Sequence, residues 1–517
     1  MTAASPSAAV DVERLALRPA RLRTDPVIRL GLLGTVLLSL ASWARGPYRA
    51  PGPLDDVPVL GWLRMTHPGR TLSTVVFYVG IVVLVTAWLR LGRRMTPHDA
   101  PPTAWLWRVG ALWGAPLLVG LPLASRDVYS YLAQGQLALS GLDPYTQGPA
   151  YLPGPLLDAV STTWWLTPAP YGPGFLIIAE EVSRVSGGGV LVGVAVMRLL
   201  AVVSLVALAV LVRRLARSVG VDPARATWLA LLNPLVLVHL LGGLHNEVLI
   251  VPLVLAGFAL ALGRHPLLGA GVIALAAAVK VTAVVALPFV AVLWVLHRRQ
   301  ADAPGHATRH APGHVRTLLG AFVAVGAVGT SVLTALSVLS GYGFTWLTAI
   351  GESTSHGSRL SVTSMIGTPV GEVAAWVGGL RAGDRAESLV HLAALALAAW
   401  LCVLLLLRRV VSADQVLLRC GLAMVAVAVL GPVFHPWYLL PGLALVAVGG
   451  AGVRTTTAMV WTTLVLAVLV RPGGSEVLRP EYPFDLAVAA LALLAIAVVK
   501  RRDEAPATVT VPVTLPA

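Results

Sequence analysis

Asp127 begins the run Asp-Val-Tyr-Ser-Tyr-Leu-Ala-Gln-Gly, directly after an apolar stretch, at the depth where a lipid head group would meet water. A carboxylate there can take a proton from a sugar hydroxyl while the reacting partner stays attached to a membrane lipid. The plainer alternative is an ion pair with Arg126 or a helix cap. Further along, Gly242-Gly-Leu-His-Asn-Glu gathers His245, Asn246 and Glu247 into one tight turn. An imidazole, an amide and a carboxylate so placed could hold hydroxyls, a phosphate or a divalent cation, or could simply cap two helices. Lys280 divides an apolar stretch covering 266–296, and Arg198 lies inside another. Ionisable groups in hydrocarbon cost roughly 2.5–3.5 kcal/mol at a helix centre on insertion scales, and they tend to mark a site or pathway. Both cations could neutralise a lipid phosphate or pair with a carboxylate. In Phe434-His-Pro-Trp-Tyr438, His435 could bind phosphate or hydroxyls and Trp437 could stack on a sugar, unless the segment is an interfacial anchor. Gly141-Leu-Asp-Pro-Tyr145 and Tyr171-Gly-Pro-Gly174 add turns and flat aromatic faces, which suit a sugar surface and loop punctuation equally.

The composition says what elements must hold these residues. The chain has 517 residues, 57% hydrophobic and 12% charged, with a mean hydropathy of +0.80. Soluble domains carry roughly 25% charged residues, so an ordinary cytosolic enzyme is excluded. Apolar runs long enough to cross a hydrocarbon core of about 30 Å recur from 27 to 499. They predict an all-α polytopic membrane protein, a bundle of about 14 spans within 27–500. The net charge of +14 sits on short loops between those runs, where it reads as an orientation signal and not as a nucleic-acid surface. Arg93 and Arg94, Arg213, Arg214 and Arg217, Arg298 and Arg299, Arg408 and Arg409, and Lys500 to Arg502 would share the cytoplasmic side of the cell membrane with tails at 1–26 and 501–517.

Opposite them lie loops at 125–187 and 341–386, and 174–186 has the apolar and charged faces of an interfacial helix. For Lys280 to reach that side, 266–279 and 281–296 must form a hairpin turning at the lysine. A single kinked span with a snorkelling lysine is the alternative, and it would reverse the topology downstream. Cys402 and Cys420 match no metal or redox spacing and are expected to pack within helices. His306, His310 and His314 recur at intervals of four in a basic linker whose glycines and prolines oppose a helix.

Together, Asp127-Val-Tyr-Ser-Tyr-Leu-Ala-Gln-Gly135, Gly141-Leu-Asp-Pro-Tyr145, Tyr171-Gly-Pro173, Asn233-Pro-Leu235, Gly243-Leu-His-Asn-Glu247, Val279-Lys280 and Pro436-Trp-Tyr438 carry a family likeness. Over residues 70–450 the chain resembles the MptB-type polyprenol-phosphomannose-dependent α-1,6-mannosyltransferases of the GT-C superfamily. The resemblance implies a GT-C-type helical bundle, a polyprenyl-phosphate-mannose lipid as donor, and a mannan or lipomannan glycolipid of the cell envelope as acceptor. It puts Asp127 in the place of the general base and matches His245 and Asn246 to the family's turn motif. Glu247 stands where the family more often has aspartate. Donor-phosphate contacts are expected from Lys280, Arg198 and His435. Sugar or acceptor contacts are expected from Tyr129, Asp143, Tyr145, His245, Asn246, Glu247, Trp437 and Tyr438.

A β-linked mannosyl phosphate giving an α-linkage implies inversion by one in-line displacement, with one base and no covalent intermediate. Phosphate is already the leaving group, so no nucleotide or other cofactor is required; a divalent cation near His245 and Glu247 is compatible but not obligatory. A lipid-linked sugar flippase or secondary transporter would also have many spans and buried charges, but with pseudo-symmetric halves and broken helices at the midplane. A scaffold subunit, or a transferase using another polyprenyl-phosphate sugar, also fits the physics.

Overall fold

The structure is a computed structural model that describes residues 24–45, 54–96, 99–301, 314–353, 358–474, 476–479 and 481–504. Most of the two expected tails lies outside the described residues, as do His306 and His310; His314 is the first residue of a helix, His314–Leu339. Among the described residues β-structure is confined to an isolated bridge between Val470 and Glu476. Everything else regular is helical, as it must be where no water is available to backbone groups.

Eight helices among the described residues are long and apolar enough to cross a membrane, or nine if one sharply bent pair counts as a span. Leu380–Leu407 shows what solvent such helices need: Gly383 and Ala398 are its buried residues, and Leu389 and Leu392 are 64% and 63% exposed. An apolar surface of that kind is stable against lipid, not water. Each stretch expected to span is helical over at least part of its length. Several of these helices are short, including Thr103–Val119, Glu247–Leu262, Pro266–Val279 and Val453–Val468. The 226–242 stretch is interrupted where Pro234 follows Asn233, leaving Pro223–Ala230 and a wide-turned π segment, Val236–Gly242.

Pro223–Ala230 packs on the long helix His67–Gly92 through paired indoles. Trp88 and Trp228 stack at 4.9 Å, and each ring N–H donates to the other residue's carbonyl, at 3.1 and 3.0 Å. Both rings are thus buried with their polar ends satisfied. Cys402 and Cys420 are free thiols within helices, Cys420 fully buried.

The 125–187 stretch folds into helices Asp127–Leu139, Pro155–Ala159 and Pro173–Ser186. The last has the expected two faces: Phe175, Leu176, Ala179 and Val182 are buried, while Arg184 pairs on the surface with Glu180 and Glu181. Its backbone lies so close to Asp127–Leu139 that a Cβ on Gly135 would stand 2.1 Å from the Ala179 carbonyl oxygen. The 341–386 stretch holds Trp346–Ser353 and Val362–Gly378, and the helix expected from 387 begins already at Leu380.

Candidate active site

Three breaks in otherwise helical chain create the site. The first precedes Asp127. Ala124 adopts φ 59°, a left-handed conformation costly for a residue with a Cβ, and its N–H donates to the Pro472 carbonyl at 3.0 Å. Ser125 then accepts the Asp127 N–H at 3.0 Å, and the carboxylate stands in the first turn of Asp127–Leu139, where an anion complements the helix dipole.

The second break lies between Val236–Gly242 and Glu247–Leu262, which meet at 110°. Leu244 takes φ 58° there, and the turn presents His245, Asn246 and Glu247 inward, none more than 1% exposed. Strained backbone of this kind, about 1–3 kcal/mol per residue, persists only where its surroundings enforce it.

The third break is at Lys280, which is extended between Pro266–Val279 and a 3-10 segment, Val281–Ala286, leading into Leu287–Ala301. The two helices pack on each other across it, the arrangement of a hairpin turning at the lysine. Tyr171-Gly-Pro-Gly docks against the same break. Gly172 N–H donates to the Val279 carbonyl at 3.1 Å, and a Cβ on Gly172 would lie 2.3 Å from the Ala278 oxygen, so only glycine allows the approach.

Two charge-bearing couples result. His245 Nδ1 donates to Asp127 Oδ2 at 3.2 Å, and Lys280 Nζ donates to Glu247 Oε1 at 2.5 Å. In each couple one side chain is sealed and the other opens outward: counting side-chain atoms alone, His245 is 0% and Asp127 22% exposed, Glu247 2% and Lys280 14%. The Pro436–Leu439 turn joins them. Trp437 stacks on His245 at 3.5 Å and on His435 at 4.6 Å, while the Lys280 ammonium lies 3.3 Å from the centre of the Tyr438 ring, a cation–π contact.

Desolvation pushes the Asp127 pKa up, but the hydrogen bond from His245, electrostatic attraction to His245 and His435 and a smaller contribution from Ser125 outweigh it and hold the carboxyl below its ordinary value. Burial pushes His435 down to about 4. The sequence allowed His435 to bind phosphate, and at neutral pH it would do so as an uncharged hydrogen-bond donor.

Several buried polar atoms in this cluster have no protein partner: His245 Nε2, Asn246 Nδ2, Glu247 Oε2 and His239 Nδ1. Buried polar atoms are normally satisfied, so their concentration marks where a polar ligand would bind. Among the described residues, no group of three or more His, Cys, Asp or Glu side chains could hold a metal ion. His245 and Glu247, two residues apart in the turn, take different partners.

The cluster thus brings together Asp127, His245, Asn246, Glu247, Lys280, His435, Trp437 and Tyr438. Four expected residues stand elsewhere. Arg198 donates from Nη1 to the Leu118 carbonyl at 2.9 Å, with Nε and Nη2 buried and unpartnered. Tyr129 is buried in the core. Asp143 accepts the Tyr145 N–H at 2.9 Å, and Tyr145 packs with Trp346 in a small apolar cluster that Tyr171 joins to the site.

Tyr131 and His239 were not singled out from sequence. Tyr131 sits one helical turn after Asp127, with its hydroxyl 3.4 Å from the Asn246 N–H and its ring edge-on to Tyr171 and Phe175. The i, i+4 spacing from Asp127 was the available signal. His239 lies within the π segment and tilts against both His245 and Trp437. Nothing in its apolar sequence context distinguishes it.

Residues 28–296 match the family described as α-(1→6)-mannopyranosyltransferase, N-terminal domain, and residues 363–501 match the MptB C-terminal domain. The chain is 35% identical over 472 residues to α-(1→6)-mannopyranosyltransferase A of Mycobacterium tuberculosis, covering 89% of this chain and 87% of that protein. It is 31% identical over 536 residues to a probable α-(1→6)-mannopyranosyltransferase of Mycolicibacterium smegmatis, covering 95% and 90%. Against α-(1→6)-mannopyranosyltransferase B of Corynebacterium glutamicum it is 30% identical over 461 residues, covering 83% and 74%. No solved structure matches.

Proposed function

From the premise that this chain belongs to the α-(1→6)-mannopyranosyltransferase family, we propose that it is an inverting membrane mannosyltransferase whose reaction centre is the Asp127–His245 and Glu247–Lys280 pair of couples. The donor is a polyprenyl-phosphate-mannose lipid and the acceptor a mannan or lipomannan chain, joined by an α-1,6 bond at the extracytoplasmic face. The observation that carries this reading is the convergence of a semi-exposed carboxylate and a semi-exposed ammonium around Trp437 and Tyr438, beside unpartnered polar atoms on His245, Asn246 and Glu247.

In the proposed step the acceptor 6-hydroxyl gives its proton to Asp127 as its oxygen bonds to the anomeric carbon. The bond from that carbon to the phosphate oxygen breaks, and the electron pair leaves with the lipid phosphate. Lys280 has two N–H donors beyond the one used on Glu247, and with neutral His435 it can bind charge developing on that phosphate. His245 orients the base from its sealed side. Trp437 and Tyr438 offer aromatic faces to sugar rings. Nothing in this scheme routes through a nucleotide or metal.

The test is transfer of labelled mannose from a short-chain polyprenyl-phosphate-mannose to a synthetic α-mannoside by the purified full-length chain, with linkage read by NMR. A new α-1,6-linked product is expected. Transbilayer movement of the intact mannosyl lipid without cleavage would make the protein a flippase and overturn the proposal, and so would transfer from an arabinosyl or glucosyl lipid but not the mannosyl one.

A further inference from the structure

A second charged region lies far from the Asp127 cluster, at the other end of Val190–Ser218. Near its start, Gly193 packs on Leu132 of Asp127–Leu139. Arg213 lies roughly 30 Å further along the helix axis, about the thickness of a bilayer's hydrocarbon core. There a cleft of about 580 Å³ is lined by Arg213, Arg217 and Arg225, with Asp222 the one carboxylate among its described lining residues.

Asp222 accepts the Ala224 N–H at 2.9 Å as the N-cap of Pro223–Ala230. Arg225 donates to the neutral hydroxyl of Thr456 at 2.6 Å. Arg213 Nε is buried with no hydrogen-bond partner. The cleft therefore carries more positive charge than its own residues compensate. A second cleft of about 510 Å³ shares Arg213 and Arg217 and adds Arg214, Ser218, Trp107 and Val210. Arg213 stands 5.5 Å from the Trp107 ring centre, and Val210 is 50% exposed on the apolar flank of the helix.

We infer that these adjoining clefts bind the phosphate head group of an anionic membrane lipid at the bilayer surface opposite the Asp127 cluster. The arginines grip the phosphate, in the bidentate manner open to guanidinium, and the Trp107–Val210 wall receives the first part of the acyl region. Free phosphate would satisfy the same arginines but would gain nothing from that wall. The inference does not depend on the proposed transfer reaction.

The full-length chain is purified in neutral detergent, exchanged into nanodiscs of phosphatidylcholine with or without phosphatidylglycerol, and examined by native mass spectrometry for retained lipid. One phosphatidylglycerol per chain is expected to survive release from the disc. The Arg213→Gln, Arg217→Gln double variant should retain it about thirtyfold less, the loss of two arginine–head-group contacts, and Arg213→Lys, Arg217→Lys, which keeps the charges but not the guanidinium fork, should restore only part of the retention. Equal loss in an Arg408→Gln, Arg409→Gln control would show general attraction of basic ends to the membrane and overturn the site. Full displacement by inorganic phosphate would also overturn it, by making the ligand a free anion. The Gln variant is accepted as folded only if it elutes monodisperse with the wild-type melting temperature in neutral detergent. If it fails that check, Trp107→Ala, which removes the wall and leaves the charges, takes its place, and unchanged retention in it rejects the lipid.

Discussion

Two aspartates between the same pair of membrane helices, Asp127 and Asp143, look alike in sequence: each lies within two residues of a tyrosine and near a chain reversal. Their structural surroundings differ in range. Asp143 spends its carboxylate on its own turn, accepting the Tyr145 N–H two residues on, as aspartates commonly do in turns. Asp127 faces His245, which is 118 residues away in sequence. The same holds for Glu247 and Lys280, held together across 33 residues. A side chain satisfied by its own neighbours has no demand left for a ligand. Side chains paired across the fold, with one member sealed and the other semi-exposed, can offer a substrate a pre-oriented group.

The largest effect should come from removing the distant couple's carboxylate. Asp127→Asn is expected to lower transfer by about 10²–10⁴-fold, the usual worth of a positioned base, with the chain still eluting as the wild type and still binding donor lipid. Near-normal turnover in that variant would place Asp127 with Asp143. Next comes the buried ion pair. Lys280→Met leaves the sealed Glu247 carboxylate unpaired, a loss of about 3–5 kcal/mol in such settings, read as a lower melting temperature. Lys280→Met with Glu247→Leu should recover much of that stability and none of the transfer. If the double variant transfers normally, the pair is architecture only.

The third effect is a shift along the pH axis. His245→Phe keeps a ring to stack on Trp437 and removes the bond that holds the Asp127 pKa down. Desolvation, which raises that pKa, is then opposed only by His435 and Ser125. The wild-type rate should fall on the acid side only below the ordinary carboxylate range, near pH 4, because the ionised base persists down to its depressed pKa. In the variant that fall should begin closer to neutrality. An acid limb that stays in place would show that His245 does not set the protonation of Asp127.

Much of this was legible in the sequence, and what was not has a physical reason. The helical breaks at Asp127, at the His245 turn and at Lys280 are readable because Gly, Pro and ionisable residues interrupt apolar periodicity, which is local information. The amphipathic Pro173–Ser186 helix is readable for the same reason. Pairing is not. Lys280 had a lipid phosphate or a carboxylate as candidate partners, and only the packing of Pro266–Val279 on Glu247–Leu262 decides for Glu247. Arg198 looked equivalent to Lys280 because both are cations in apolar runs, yet its helix turns the guanidinium to the Leu118 carbonyl. Span lengths were only partly readable: apolarity marks where helices occur, but Pro116 and Pro252 lie inside two of them and the 226–242 stretch is divided.

The smallest effect belongs to the local aspartate, and it is the sharpest check on the contrast. Asp143→Ala removes one side-chain acceptor from the Tyr145 N–H and should cost about 1 kcal/mol, the net worth of one hydrogen bond. Asp143→Asn keeps an acceptor and should cost less. Neither substitution touches the Asp127 couple directly, since Tyr145 packs with Trp346 in an apolar cluster that borders the site through Tyr171 and Val281. Transfer should therefore stay within about threefold of wild type, a change that corresponds to less than 1 kcal/mol, with KM for the acceptor moving no more than kcat. A loss in KM alone, with the melting temperature unchanged, would show that Asp143 touches the acceptor directly. The acceptor would then extend from the Asp127 couple across the Asp143 turn, and the carboxylate's local hydrogen bond would be one that substrate binding exchanges.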